Sequence, residues 1–360
     1  MIARIRDLMR WRRGPVKRAL ALAGGGVVGG MYEVGVLAAL DKALPGFRAN
    51  SFDLYVGASA GSVVASLLAN GVKSGDLYQV LDEGLPDPMN FERGAVYDRR
   101  ALPRAVKNLG RLFWAVGKHL FTGLRSSIPD LLAKAQWDLP AGFFSLDQLE
   151  SFMRRVFAEK GLSNYFLRLP RQLLIPAVDL DHAERVVFGA GDLAGVPISQ
   201  AIAASSAIPG FFEPYTIAGR DYVDGGVGYV AHADLTIDRG ATLIVVVNPQ
   251  VPLISQESAG VQRLKERGLY SILEQSSRIT SQNLLDLGLK ELKSRHPKVE
   301  SLLLQPDPRD PLLFGPSMGF QASRAALRYG YTSTLEWLGA GGAAFSRHFA
   351  TRLGVAGESA

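Results

Sequence analysis

Gly57-Ala58-Ser59-Ala60-Gly61 sets a serine among small residues. Such a serine can act as an acyl-transfer nucleophile when a tight strand-to-helix turn pushes its hydroxyl out of the path of the chain. In a chain with 39 glycines the bare pattern arises easily by chance, so its surroundings must decide. Residues 52–56 form a short apolar run of strand character, and residues 63–70, closed by Gly71, have helical spacing. Ser59 is therefore expected at a helix N-terminus, where backbone N–H groups and the helix dipole favour developing negative charge. The plainer alternative is a serine helix cap in a glycine-rich turn.

A second glycine cluster, Gly24-Gly25-Gly26-Val27-Val28-Gly29, follows the apolar run 17–23 and precedes apolar residues at helical spacing. It satisfies the dinucleotide fingerprint, but that fold wants an acid at the end of its second strand, and here the second strand ends Tyr55-Val56-Gly57. The other use of Gly24, Gly25 and Gly26 is as an oxyanion hole, because bare backbone N–H groups can approach an anionic oxygen that side chains would block. A serine also needs a base. The histidines are His119, His182, His232, His296 and His348, and none has a context that marks it as catalytic. Asp224, in Tyr222-Val223-Asp224-Gly225-Gly226, ends a short apolar strand and is followed by two glycines that clear space around it. An Asp-Gly turn is the commoner meaning of that dipeptide.

The elements that must position these residues alternate. Strands are expected at 17–23, 52–56, 173–178, 185–188, 222–223 and 243–247, with helices between them, the pattern of a mainly parallel α/β sheet. Between 85 and 146 the chain becomes basic and aromatic, as a helical insertion over the sheet edge would, and from 260 to 295 long amphipathic helices take over. With 360 residues the chain can bury a sizeable core. It has no cysteine, so disulfides, thiol nucleophiles and thiolate-bound metals are excluded. No apolar run reaches the roughly 18 residues of a membrane span, and 19–23 is too short and too glycine-bound for a secretory signal. The net charge of +6 hides an asymmetry: residues 1–20 carry +6 and residues 93–137 carry +7, so the remainder is −7. Such segments can meet nucleic acid, anionic lipid or water.

Taken together, the blocks resemble the patatin-like phospholipase family. The likeness rests on Gly24-Gly25-Gly26-Val27-Val28-Gly29, on Gly57-Ala58-Ser59-Ala60-Gly61, on Ala204-Ser205-Ser206-Ala207-Ile208-Pro209-Gly210-Phe211-Phe212-Glu213-Pro214, and on Asp224-Gly225, in family order over about residues 18–250. The resemblance implies a three-layer α/β sandwich and a Ser–Asp dyad without histidine that cleaves fatty-acyl esters of membrane lipids. Carried over, Ser59 is the nucleophile, Asp224 the base, and Gly24, Gly25 and Gly26 the oxyanion donors. Val28 stands where the family usually has a basic residue, and Val227 onward departs from the Asn and Pro that commonly follow the aspartate. No cofactor, metal or nucleic-acid partner is implied, and the activity is expected to be calcium-independent. The domain reading is a basic N-terminal segment 1–16, a catalytic domain 17–255 with the 85–146 insertion, and a helical C-terminal extension 256–350. The alternatives are a membrane-surface or lipid-droplet adaptor on the same fold with a weak dyad and, further off, a dinucleotide enzyme.

A lipid esterase must hold its site against an interface. Residues 2–13 place Ile2, Ile5, Leu8, Met9 and Trp11 among five arginines, a short basic amphipathic pattern suited to a headgroup region. Residues 101–121 repeat the mixture with Phe113, Trp114 and Phe121 beside Arg111 and Lys118, although apolar residues at helical spacing more often mean burial. The expected location is the cytoplasm, peripheral on the inner face of a membrane.

Overall fold

A computed structural model describes residues 16–44, 47–90, 110, 114, 141–254, 263–315 and 320–340. The two basic amphipathic segments, apart from Val16, Gly110 and Trp114, lie outside these residues, as do His119, His348 and most of the 85–146 insertion.

The apolar runs become the central strands. In β1 (Arg18–Leu22), residues 19–22 are all buried, and in β7 (Leu243–Val247) every residue is. Strands covered on both faces read as continuous apolar runs instead of alternating ones. β1 pairs in parallel with β2 (Leu54–Gly57) on one side and with β7 on the other, Leu22 standing opposite both Gly57 and Val247. β3 (Gln172–Asp179) continues the parallel set beyond β2, and β8 (Glu300–Leu304) continues it beyond β7. β8 lies within the stretch read as a helical extension. Its run of leucines is too short for periodicity to separate strand from helix.

The far side of the sheet is antiparallel: β4 (Glu184–Phe188) and β6 (Arg220–Val223) pair with β3, and β5 (Tyr215–Ile217) pairs with β6. The order is β5-β6-β3-β2-β1-β7-β8, with β4 on β3. The mixed sheet with a parallel centre agrees with the expected α/β class.

Alternation along the strands divides the core. Leu20, Leu22, Tyr55, Val245 and Val247 face α1 (Gly26–Ala43), α2 (Ala60–Ala69), α3 (Ser74–Glu83), α4 (Asp147–Glu159), α5 (Ile198–Ser205) and α8 (Phe320–Ala340). Ala19, Ala21, Val56, Ile244 and Val246 face the other way, toward α6 (Ala233–Ile237) and α7 (Leu269–Arg295). Three layers result, the thicker helical layer holding α1 between the sheet and α8.

The α1–α8 contact is backbone to backbone. A Cβ at Gly35 would collide with the Leu327 carbonyl oxygen and come within 2.9 Å of Tyr331 N, and one at Gly330 would collide with the Tyr32 carbonyl. Ala is the better helix former by about 1 kcal/mol, so the two effects can be separated. Gly35→Ala is expected to lower Tm despite the gain in propensity, overpacking costing about 1–3 kcal/mol. Gly288→Ala, at a position in α7 with nothing within 4 Å, is expected to raise it. Thermal unfolding of the two variants side by side makes the comparison; stabilisation by Gly35→Ala would mean that the helices do not approach this closely.

Candidate active site

Ser59 occupies the turn from β2 into α2 with φ 52° and ψ −132°, a left-handed conformation that non-glycine residues rarely adopt. The surroundings hold it there. Gly61 N–H donates to Ala58 O at 2.9 Å, Ser62 N–H to Ser59 O at 2.9 Å, and Ser59 N–H to the Ser205 hydroxyl at 3.0 Å. Both flanking glycines are required by space: a Cβ at Gly57 would lie 2.7 Å from Ala65 Cβ, and one at Gly61 would lie 2.7 Å from Leu22 O.

The glycine triplet joins β1 to α1 with φ of 80°, 110° and 64° at Gly24, Gly25 and Gly26. Three successive left-handed residues are strained for anything with a side chain. The loop also touches the serine turn, since a Cβ at Gly24 would sit 2.8 Å from Ser59 Cβ, and one at Gly25 would sit 2.9 Å from Gln250 Cγ. Here the structure differs from expectation: Gly24 N–H donates to Glu33 Oε1 at 2.8 Å and faces into the protein. Gly25 and Gly26 open α1, where first-turn N–H groups have no acceptor within the helix.

Asp224 reaches the same point by a different route. β4 and β6 both pair with Val178 and Asp179, so they occupy opposite edges of β3. β6 and β2 therefore share an edge, β2 rising to Ser59 and β6 descending to Asp224. Asp224 N–H donates to Ala207 O at 2.9 Å, and Oδ1 accepts from Gly226 N–H at 2.7 Å. Oδ2 is buried and closes no hydrogen bond, yet the Ser59 hydroxyl is near enough to pull the Asp224 pKa down. Apo sites often hold such pairs slightly long. Burial dominates and pushes the carboxyl up to about 6, with Gly226 N–H and Ser59 opposing.

His232 follows Ala231 as the second of two successive left-handed residues, and its ring is buried. Nε2 lies 2.9 Å from Gly225 O, and Nδ1 lies 3.4 Å from Arg185 Nη1. A guanidinium only donates, so Nδ1 accepts and Nε2–H donates to the carbonyl beside Asp224. Burial, followed by the Arg185 charge, pushes the His232 pKa down to about 4, leaving the ring neutral. Both nitrogens are engaged away from Ser59. His182, itself exposed, is bound to the buried Asp179, and His296 caps the C-terminus of α7.

An apolar pocket beside Ser59 runs between α1, α2, α3 and α4, with about 810 Å³ of space between atoms once the adjoining open solvent is counted. Met31, Val63, Leu67, Leu81, Phe152 and Val156 line it, and Ser59 and Ser206 bring its hydroxyls. The Ser206 hydroxyl is buried and closes no hydrogen bond. Such a cavity suits a hydrocarbon chain whose polar end stops at Ser59.

A serine turn and a glycine loop pressed together at the carboxyl ends of parallel strands, with a buried aspartate facing them, define a class of α/β protein in which the helix N-termini converge on one serine. This chain belongs to the patatin-like phospholipase family, whose family model matches residues 20–235. A cGAMP-activated phospholipase of Pseudomonas aeruginosa (strain BWHPSA011 / Pa011) is 34% identical over 116 residues, 32% of this chain and 31% of that protein. The match thus spans about a third of the relative's length. VipD from Legionella pneumophila superposes over 91% of this chain and 67% of its own, at 16% identity and a TM-score of 0.39. The type III effector ExoU does so over 94% and 53%, at 15% identity and 0.38.

Two residues that hold the site were not singled out from the sequence. Ser205 braces both halves: its hydroxyl accepts from Ser59 N–H and donates to Pro176 O at 2.6 Å, while its carbonyl accepts from Gly225 N–H at 3.2 Å. Glu33 is fully buried and holds the glycine loop, and its other oxygen, Oε2, has no partner. The signal for Glu33 was present, as a lone acid in the apolar stretch 27–40. Burial pushes its carboxyl well above the usual range, against the pull of Gly24 N–H.

With a raised folded pKa, the folded state keeps a proton that the unfolded chain releases above its ordinary carboxyl pKa, so the Glu33 contribution to stability falls as pH rises. Glu33→Gln retains the acceptor for Gly24 and carries no such proton. The Tm difference, variant minus wild type, is expected to grow by roughly 2 °C or more between about pH 5 and about pH 8.5. Thermal melts across that range read it directly; a difference that stays flat would mean that Glu33 is ionised in the folded protein.

Proposed function

We propose that the chain is a lipid acyl hydrolase of phospholipase A or lysophospholipase type, acting through an acyl-enzyme on Ser59 with Asp224 as the base. The observation that carries this reading is an apolar pocket lined in part by a strained serine whose neighbour is a buried, partly unpaired carboxylate. Ser59 Oγ attacks the ester carbonyl carbon as its proton passes to Asp224. The carbonyl oxygen becomes an anion facing the N–H groups of Gly25 and Gly26 at the start of α1, where the dipole also helps. Collapse of the tetrahedral species expels the alcohol, which takes the proton back from Asp224, and the fatty acyl group stays on Ser59. Water repeats the sequence and releases the fatty acid.

Family membership supports an ester-cleaving reaction on lipid, and the apolar lining of the pocket supports a fatty-acyl group as the part of the substrate that is held. The substrate is a phospholipid or other fatty-acyl ester at a membrane surface, met peripherally. Among the described residues no helix is long and apolar enough to cross a membrane. No metal or cofactor enters the steps.

Ser59→Ala and Asp224→Asn are each expected to reduce hydrolysis of a p-nitrophenyl ester by at least about 10³-fold, the scale of losing a nucleophile or its base. Labelling by a fluorophosphonate probe should vanish in Ser59→Ala. His232→Ala should lose far less turnover than either; loss equal to that of Asp224→Asn at unchanged Tm would replace the dyad with a histidine mechanism.

The base must be ionised to accept the proton, so kcat/KM is expected to rise with pH through a limb centred near about 6, the burial-raised value for Asp224. A limb near the ordinary aspartate value would show that the carboxylate is solvated in the working enzyme.

A further inference from the structure

The first turn of α7 is amphipathic in the reverse sense. Leu269, Tyr270, Ile272 and Leu273 are exposed by 70%, 54%, 43% and 60%. Spaced by one, three and four residues, they share one broad face. Glu274, Gln275 and Arg278 are turned toward the protein. The Gln275 side chain donates to Leu253 O at 2.8 Å and accepts from Leu253 N–H at 3.0 Å, and Glu274 is paired with Arg278, accepting from its Nη2 at 2.7 Å. A helix that had only water to meet would present the opposite pattern.

Its place in the fold ties this face to the site. The chain leaves the carboxyl end of β7 past Gln250, which lies against Gly25. Val251 O then accepts from Arg278 Nη1 at 3.1 Å, and Leu253 is bound twice to Gln275. α7 returns the chain to β8, which is parallel to β7, so the helix starts at the end of the sheet where Ser59 lies and its first turn projects past the Gln275 strap. Immediately before it, Arg263, Lys265 and Arg267 stand with the single acid Glu266, giving a net charge of +2. Apolar side chains projecting outward with basic side chains at their flank match a bilayer with anionic headgroups: the former enter the acyl boundary and the latter stay with the phosphates.

We propose that the start of α7, with Leu269, Tyr270, Ile272 and Leu273 as its inserted face and Lys265 and Arg267 as its headgroup contacts, docks the protein on an anionic membrane and turns the mouth of the pocket toward it. The proposal rests on the lipid-hydrolase reading for its purpose, though not for its measurement.

The test uses the full chain, with vesicles of phosphatidylcholine alone and of phosphatidylcholine mixed with phosphatidylglycerol. Replacing the four apolar residues together by serine, which leaves the core untouched, is expected to lower partitioning onto the mixed vesicles at least about tenfold. Lys265→Glu with Arg267→Glu should abolish the preference for mixed over neutral vesicles. Both variants should keep Tm and the hydrolysis of a dispersed short-chain ester within about twofold, as surface changes usually do. Unchanged partitioning of the serine variant overturns the proposal. So does a shift from dimer to monomer on gel filtration with vesicle binding intact, which would assign the face to a second copy of the chain. Wild type that binds vesicles through this face but releases no fatty acid keeps the surface and removes the lipid-hydrolase reading; wild type that cleaves dispersed ester and ignores vesicles does the reverse.

Discussion

Strands β1 and β2 end side by side, Leu22 opposite Gly57, and the chains leaving them must pass each other without room for a Cβ. Everything at the site follows from that approach. Ala58 N–H donates to Leu22 O at 3.0 Å, and Ala23 N–H donates to Val247 O at 3.1 Å, so the sheet ladder is carried one step into the loops. Beyond that step both chains turn immediately into helices. The N-termini of α1 and α2 are thereby brought to one place, and a serine forced into a left-handed backbone between them has its hydroxyl presented to the gap. Side chains at Gly24, Gly57 or Gly61 would push the two exits apart and separate the helix ends from the serine.

Burial, and not a neighbouring charge, sets the electrostatics. The groups acting on Asp224 are its own desolvation, one backbone N–H and one hydroxyl, with no cation among them. The His232 ring, bonded to the carbonyl of Gly225, is neutral, and the charge of Arg185 is taken up by Asp234 at 2.6 Å on the outer side. A carboxylate paired with Arg185 would have been held low and made a poor base. By keeping the guanidinium one hydrogen bond away, through the imidazole, the fold orients the Gly225 carbonyl without lowering the Asp224 pKa. Tyr229 completes the stack, its ring over His232 at 5.7 Å and under Arg185 at 4.4 Å.

Much of this is legible in the amino-acid sequence. The parallel strands β1, β2, β3 and β7 were visible as apolar runs because strands buried on both faces carry no alternation to confuse, and Ser59 was visible because a tight turn demands small neighbours. β5 and β8 were not seen: three residues of half-exposed strand at Tyr215–Ile217, and a leucine run next to a long helix, carry too few positions for a period. The site residues that escaped are those that act through others. Ser205 sits inside a block recognised for its proline and aromatic residues, yet nothing in its type says that its hydroxyl reaches Ser59 across 146 positions of chain. Glycine runs suggest bare N–H groups and hence an oxyanion donor at Gly24. That it turns inward to Glu33 depends on where the helix directs a side chain nine residues later, which composition does not encode.

The crossing of α1 with α8 sets a clock on when the fold can be finished. α1 ends at Ala43 and α8 begins at Phe320, so about 280 residues must be added between them. At ribosomal rates of about 5–20 residues per second this takes roughly 15–55 s. For most of that interval the strand, glycine loop and serine turn exist on the nascent chain while the Gly35 flank of α1 has no helix against it. Lipid-cleaving competence, on the function proposed above, is thereby deferred until α8 has been released, and a ribosome halted partway leaves a fragment that carries Ser59 without this support.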